Sequence, residues 1–353
     1  MNRSTLRAVP VAVALCLVGA LSAGCTLAGT SNDAAGPQTV TLVTHDSWAA
    51  PAEVLSAFER QSGIKITVLK EGDAGALTNK LVLTKANPLG DVAYGVDSTF
   101  ATRALTEGVF EPYTSPEADR GPQRYAVDPE HRLSAVDLGD VCVNIDNAYF
   151  TSNGIPAPKS YEDLANPQYK DLTVVESPAT SSPGLAFLLG TVAKFGEDGW
   201  QEYWSKLKAN GVKSVSGWTE AYTQDFSGSS GKGPRPIVVS YASSPAAEVG
   251  EDGKPRTSAL LDTCYRQVEY AGVLTGSKQP ERAHKVVDFL LSQQFQVTVA
   301  ANMYVYPARQ GVDLPAGWAQ AAPLPANPVA LDGDKVQAGR EKWIGQWRTL
   351  FEG

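Results

Sequence analysis

The spacing of apolar residues alternates between the two-residue period of a strand and the longer period of a helix, beginning near residue 39. This pattern predicts strands at 40–43, 64–69 and 91–94. It predicts helices at 52–61, 76–85 and 99–106. Strand and helix thus follow one another repeatedly, which is typical of an α/β fold with a parallel, doubly wound sheet.

A second series of the same kind begins after residue 140. Its predicted strands are 141–145, 171–175, 236–240 and 264–270. Its predicted helices are 161–165, 184–195 and 199–208, followed by 281–293 and 335–351. Two α/β series joined by two extended crossings predict a two-lobed clamp with a ligand cleft between the lobes and the crossings as hinge. The expected division is lobe I at 39–139 plus 271–353 and lobe II at 140–270.

The N-terminus has the features of a targeting segment. Arg3 and Arg7 precede an apolar stretch at 8–20, which is shorter than the ~20 residues that span a bilayer. The run Leu21-Ser22-Ala23-Gly24-Cys25 resembles a bacterial lipobox, whose cysteine is acylated after cleavage. We expect a signal peptide at 1–24, an acylated Cys25 with a flexible tether at 25–38, and an extracytoplasmic protein held at the membrane by lipid alone. The alternative is an ordinary signal peptide with a chance cysteine.

The charge balance and the cysteines narrow the possible partners. The chain has 30 basic and 38 acidic residues; the first 24 hold two arginines and no acid, which leaves 28 against 38 and a net charge of −10. An acidic protein of this kind is a poor partner for nucleic acid or anionic lipid. After cleavage and acylation, Cys142 and Cys264 are the remaining thiols. In an oxidising compartment they predict one disulfide, the alternative being two separately buried thiols.

Motifs of catalysis and cofactor binding are absent from the sequence, including GxGxxG, GxxxxGK[ST], HExxH and GxSxG. His45, His131 and His284 are scattered without the spacing of metal ligands. We therefore expect a binding protein without cofactor or metal rather than an enzyme. A secreted hydrolase remains the alternative from another class.

Short aromatic and acidic motifs stand just after several predicted strands, at the edge of a parallel sheet where ligands bind. The candidate ligand-binding residues are His45, Asp46, Ser47, Trp48, Gly95, Asp97, Ser98, Ser181, Ser182, Pro183, Gly184, Trp218, Glu220, Tyr222, Tyr241, Ser244, Tyr304 and Tyr306. Aromatic faces and carboxylates together suit a flat organic cation. The run Ser181-Ser182-Pro183-Gly184 opens a predicted helix, where hydroxyls and backbone N–H groups favour an anion or a hydroxyl.

These motifs resemble those of the thiamine-binding receptors of ABC importers, within the iron, polyamine and thiamine group of binding proteins. The resemblance extends from Thr41 to Trp347 and rests on these runs: Asp46-Ser47, Gly95-Val96-Asp97, Thr180-Ser181-Ser182-Pro183-Gly184-Leu185, Gly217-Trp218-Thr219-Glu220-Ala221-Tyr222, Ser240-Tyr241 with Ser244-Pro245, and 295–307. It implies a periplasmic-binding-protein-like (type II) fold and a monomer that captures thiamine or thiamine monophosphate. It also implies permease and ATPase subunits as partners.

Departures from the family pattern leave the identity of the ligand undecided at this point. His45 stands where the family tends to have tyrosine and Tyr304 where it has tryptophan, and aromatics are missing around Pro51 and near Ala247. A pyrimidine precursor or another small cation therefore remains an alternative. A ferric-ion receptor would use phenolates such as Tyr304 and Tyr306, which point the same way if their segment is extended. A polyamine receptor would also use acids and aromatics.

Overall fold

The structure is a computed structural model that describes residues 38–352. The predicted signal peptide, the acylation site at Cys25 and nearly all of the tether lie outside the described residues. No helix within 38–352 combines the length and apolar character that crossing a membrane requires.

Nine strands make up a single sheet in the described part of the chain. They are β1 (Gln38–Thr44), β2 (Ile64–Lys70), β3 (Val92–Asp97), β4 (Ser134–Asp146), β5 (Thr173–Glu176), β6 (Lys213–Val215), β7 (Ile237–Tyr241), β8 (Thr257–Val273) and β9 (Tyr306–Pro307). The order across the sheet is β2-β1-β3-β8-β4-β7-β5-β6, and β9 pairs with β4.

Helices flank these strands. They are α1 (Ala52–Ser62), α2 (Ala74–Leu83), α3 (Ala101–Thr106), α4 (Asn147–Asn153), α5 (Tyr161–Leu164), α6 (Ser182–Ala209), α7 (Trp218–Glu220), α8 (Pro280–Leu291), α9 (Gln293–Met303), α10 (Trp318–Ala321) and α11 (Gly333–Glu352). Single helical turns occur at Ala118–Arg120, Pro122–Tyr125, Pro167–Tyr169, Ala221–Asp225 and Ser244–Ala247. The two helices expected at 184–195 and 199–208 form α6, interrupted at Gly196, whose φ of 74° and ψ of 173° are not helical.

The sheet is mixed, and the expectation of a parallel sheet holds only for its two ends. Strands β2, β1 and β3 run parallel to one another, as do β7, β5 and β6. Between these sets, β8 is antiparallel to β3 and β4, and β4 is antiparallel to β7. Apolar periodicity identifies each β-α unit but carries no information on the direction of the long strands that join the units.

The two long strands connect the two parallel sets. In β8, residues 269–273 pair with β3, while 257–260 pair with the part of β4 that continues onto β7. Cys142 of β4 and Cys264 of β8 form a disulfide at a register shift between these strands, with Cα atoms 4.2 Å apart. The predicted disulfide is confirmed.

The C-terminal helix α11 packs largely on α6. The Trp347 ring meets the Trp204 ring edge-on at 5.7 Å, and Trp343 Nε1 donates to Glu197 at 3.1 Å. Arg103 of α3 also approaches Glu341 of α11, at 3.7 Å. The helix thus touches elements expected in different lobes, and the lobe boundaries stay a prediction.

Candidate functional site

Residues from both parallel sets meet around a small cavity of about 40 Å³, which we call the central pocket. Its lining includes six of the predicted residues, namely His45, Ser47, Trp218, Tyr241, Ser244 and Tyr304. Glu269, Met303 and Val305 complete the lining. Drug-sized ligands occupy roughly 300–1,000 Å³, so the central pocket is too small for such a ligand in this arrangement, which we call the closed form.

An aromatic wall forms one side of the central pocket. The Trp218 ring stacks on Tyr222 with centroids 4.9 Å apart and planes 15° apart, and it lies 6.4 Å from Tyr241. The Trp218 indole N–H donates to Ser240 Oγ at 2.8 Å, and Ser240 Oγ lies 2.7 Å from Ser244 Oγ. These bonds fix the indole plane, which is the arrangement a stacking surface for a flat ring or a cation needs.

A buried polar cluster also borders the central pocket. His45 Nε2 lies 3.3 Å from Glu269 Oε2, and Ser47 Oγ lies 2.9 Å from His45 Nδ1. The Tyr94 hydroxyl donates to Glu269 at 2.9 Å and also contacts Asp137. Burial opposes protonation of His45, but Glu269 outweighs it and raises the histidine pKa. Burial likewise opposes ionisation of Glu269, and His45 with Tyr94 outweighs that effect and lowers its pKa.

Glu269 and Asp137 were missed by sequence reasoning. Both are acids inside long strands, at 7% and 0% exposure, where the surrounding pattern predicts only buried sheet. Burial and the neighbouring charge of Glu269 raise the pKa of Asp137 well above its usual range. Glu269, whose pKa is lowered, lines the central pocket as a carboxylate, and the Tyr94 hydroxyl links it to Asp137.

Asp73 connects the two predicted lobes and was also missed. Its carboxylate caps α2 by accepting from Ala74 N at 2.6 Å. It also accepts from Ser182 N at 3.2 Å and from Trp218 N at 2.8 Å. Burial raises the pKa of Asp73, although these three N–H donors oppose the rise. An aspartate directly before a predicted helix is a capping signal, but the two remote donors belong to segments more than a hundred residues away.

The predicted anion site at the start of α6 is filled by carboxylates in this closed form. Ser182 Oγ donates to Asp97, and Ser182 N donates to Asp73. The Ser181 hydroxyl accepts from Gly184 N at 3.4 Å. Burial raises the pKa of Asp97 to about 6 even though Ser182 and Thr99 donate to it. At this helix end the backbone N–H of Ser182 donates to an acid of the other predicted lobe, and Gly184 N donates to the Ser181 hydroxyl; the anion site stays a prediction.

Larger cavities adjoin the central pocket on both sides. One of about 330 Å³ shares Ser47 and Trp218 with it and is also lined by Asp46, Asp73 and Glu220. Another of about 550 Å³ shares Tyr304 and is lined by uncharged residues, Trp318 among them. Trp218 and Tyr304 thus separate the small closed pocket from two larger spaces, one acidic and one apolar.

Tyr304 and Tyr306 do not form the phenolate pair that a ferric-ion receptor would use. Tyr304 ends α9 in a left-handed conformation, with φ of 54°, and its ring stacks on Trp318 at 6.2 Å. The Tyr306 hydroxyl donates to the Ala322 carbonyl and does not line the central pocket. The segment is not extended at Tyr304, so the two phenols do not act together. Among residues 38–352, no group of three or more His, Cys, Asp and Glu side chains is arranged to hold a metal ion.

The remaining predicted residues have supporting positions. Trp48 is buried in the hydrophobic core rather than at the pocket, and the Ser98 hydroxyl accepts from Val268 N at 3.3 Å. Gly95 has φ of 97°, and a Cβ there would lie 2.1 Å from His45 Cδ2. Gly184 allows α6 to approach the Glu176 carbonyl, where a Cβ would lie at 2.5 Å, and Pro183 occupies the first turn of α6.

Comparison with known proteins identifies the family. Residues 87–336, more than half of the chain, match the bacterial extracellular solute-binding proteins. The chain belongs to this family. The solute-binding protein is 32% identical over 321 residues to the thiamine-binding periplasmic protein of Salmonella typhimurium, covering 88% of this chain and 92% of the relative. It is 31% identical over 320 residues to the protein of the same name from Escherichia coli, covering 88% and 92%.

Solved structures identify the fold of this solute-binding protein. A periplasmic thiamin binding protein superposes with a TM-score of 0.79 at 28% identity, covering 89% of this chain and 96% of that one. Iron-bound HitA from Pseudomonas aeruginosa superposes with a TM-score of 0.71 at 20% identity, covering 89% and 99%, and bears on the fold alone. The predicted two-lobed type II fold of periplasmic binding proteins is confirmed.

Proposed function

We propose that this protein captures thiamine in the cleft around the central pocket and delivers it to the permease and ATPase subunits of an ABC importer. Two curated relatives at 31–32% identity are thiamine-binding proteins. The observation that carries the proposal is that Trp218, held in a stack with Tyr222, and the carboxylate of Glu269 line the same pocket. Thiamine presents a permanently cationic thiazolium and a flat aminopyrimidine, which need such a surface and such a charge.

The ligand enters when the Asp73 bonds to Ser182 and Trp218 open, and the adjoining cavities of about 330 Å³ and 550 Å³ supply the room that the central pocket lacks. The acids around the cleft, Asp73, Asp97 and Glu269, favour a cation over an anion. A ligand that touches both lobes shifts the equilibrium toward closure through contacts made only in the closed form.

Calorimetry and tryptophan fluorescence of the purified body, residues 38–353, test the ligand. We expect thiamine to bind at micromolar concentration or below and to change Trp218 fluorescence. Thiamine monophosphate, the free hydroxymethyl-pyrimidine, putrescine and ferric iron are the comparison ligands. Heat with putrescine alone would assign a polyamine receptor instead. A visible phenolate band on adding ferric iron would assign an iron receptor.

We also propose that the body is tethered to the outer face of the cell membrane through Cys25, with residues 26–38 as the tether. Two or three acyl chains hold a protein stably, whereas one chain binds only marginally. The Cys25→Ser variant should lose lipid labelling and membrane fractionation, while thiamine affinity of the body stays unchanged. Unaltered processing and membrane retention of this variant would mean that the protein is held in another way.

A further inference from the structure

A cavity of about 550 Å³, which we call the apolar cavity, adjoins the central pocket. Both predicted lobes contribute to it, one through residues within 246–255 and the other through Ala301, Tyr304 and residues within 315–321. Its twelve described lining residues include no acid and no base. Small-molecule sites occupy roughly 300–1,000 Å³. The apolar cavity therefore has the size of a ligand site, and its lining suits an uncharged group.

Exposed apolar and aromatic side chains border the apolar cavity. Val249 is 39% exposed and Tyr304 is 38% exposed, and both line it. The Tyr304 ring stacks on Trp318 with planes 13° apart, and Ala246 packs against the apolar cluster that contains Trp318. Exposed apolar surface inside a concave site is typical of ligand binding. An apolar group placed in this cavity would remove Val249 and Tyr304 from water.

Tyr304 connects the apolar cavity to the ligand cleft, because it lines both this cavity and the central pocket. It ends α9 in a left-handed conformation, and its carbonyl accepts from the Ser243 hydroxyl of the other predicted lobe. A ligand that occupies the central pocket and extends past Tyr304 therefore enters the apolar cavity. For this reason we assign the cavity to the ligand rather than to a partner protein.

The acids of the cleft determine which end of a cationic ligand points toward the apolar cavity. Glu269 lines the central pocket. Asp46, Asp73 and Glu220 line the other adjoining cavity, of about 330 Å³. Coulomb attraction holds the cationic end of the ligand near these carboxylates. The uncharged end of the same ligand then points toward the apolar cavity.

We propose that the apolar cavity is a subsite for an uncharged substituent that extends the ligand beyond its pyrimidine ring. Carbon 2′ of the thiamine pyrimidine is opposite the ring carbon that carries the thiazolium arm. A chain on carbon 2′ therefore continues the long axis of the molecule away from the cation, and thiamine itself has only a methyl group there. The inference rests on the proposed function, because it adds a subsite to the same cleft and takes the ligand's orientation from the charges there.

The test uses calorimetry of the purified protein with thiamine and with its 2′-propyl and 2′-butyl homologues. Burial of each added methylene group should raise affinity about two- to fourfold. The butyl homologue, with three added methylene groups, should therefore bind about 10-fold tighter than thiamine or better. Affinity that is the same for all three ligands, or that falls with chain length, would overturn the inference and leave the proposed function intact.

Two substitutions fill the apolar cavity and identify it as the source of the gain. Val249→Trp and Ala301→Trp each place an indole in the cavity, one from each predicted lobe, and both positions are exposed, so the core is unchanged. Leu83→Trp is the matched control, because Leu83 is 82% exposed on α2 and lines neither the apolar cavity nor the central pocket.

The readout is the ratio of the affinities for the butyl homologue and for thiamine within each protein, so that a general loss of binding cancels. The ratio should stay at the wild-type value in Leu83→Trp and fall below about twofold in the two filled variants. A ratio that remains at the wild-type value in both filled variants would overturn the inference, because the gain would then arise elsewhere. Failure of the wild type to bind thiamine or either homologue would overturn the proposed function as well.

Discussion

Asp73→Ala is the substitution that should most directly loosen the closed cleft. The wild-type carboxylate accepts from Ser182 N and Trp218 N across the cleft, at 3.2 and 2.8 Å, besides capping its own helix at Ala74 N. A hydrogen bond to a charged group contributes ~1.5–3 kcal/mol. The burial that raises the pKa of Asp73 offsets part of the two bonds across the cleft. We take about 2 kcal/mol as their net effect on closure, which is roughly a 30-fold change in the ratio of closed to open molecules.

Small-angle scattering of the ligand-free body should therefore show a larger radius of gyration for Asp73→Ala than for the wild type, and calorimetry should show weaker thiamine binding. Asp73→Asn keeps an acceptor oxygen without the charge, so its effect should be intermediate. Asp171→Ala serves as a control, because Asp171 lies on the loop before β5, away from the cavity linings described above. Identical scattering and identical thiamine affinity in Asp73→Ala and the wild type would refute the prediction that the Asp73 bonds favour the closed form.

Three further predictions concern the framework of the site. Serine at both Cys142 and Cys264, which are 122 residues apart, should lower the free energy of unfolding by about 4–5 kcal/mol; an unchanged urea midpoint would contradict this. The ion pair of His45 and Glu269 should stabilise the fold most between the lowered pKa of Glu269 and the raised pKa of His45, and this stability is lost as pH rises through the latter. Melting temperatures across pH 5–9 should flatten on the alkaline side in His45→Gln, and an unaltered profile would argue against the pair. Gly95→Ala should cost about 1–3 kcal/mol through backbone strain and its clash with His45, measured by denaturation, and a neutral effect would contradict the close approach.

The sequence was sufficient to predict most of the β-α units and much of the pocket lining, but not β6, β9, α4, α9 or α10. Strand and helix periods identified the β-α units, and the two remaining thiols identified the disulfide. His45 and Tyr241 were found because they directly follow predicted strands, at the edge where ligands bind, and Trp218 was found through the motif Gly217–Tyr222. These features can be predicted from the sequence because the residues that indicate each strand, helix or pocket position lie within a few positions of it.

The missed features depend on distant partners. Glu269 is a pocket acid because His45, 224 residues away, lies beside it. Asp73 bonds across the cleft only when Ser182 N and Trp218 N, at the starts of α6 and α7, lie next to it. The left-handed turn at Tyr304, whose carbonyl accepts from Ser243, separates the two phenols that the ferric-ion alternative would use together. None of these contacts produces a pattern of apolar and polar residues from which it could be predicted.

The order of strands in the sheet also constrains when this chain can fold. Strand β8, residues 257–273, lies between β3 and β4, so the middle of the sheet stays incomplete until that segment is available. Pairing over such distances in sequence makes folding slow compared with local structure formation. During synthesis, β3 and β4 are therefore made well before β8, the strand that lies between them in the sheet. A chain that folds late stays unfolded for longer, and an unfolded chain is what translocation across a membrane before folding requires.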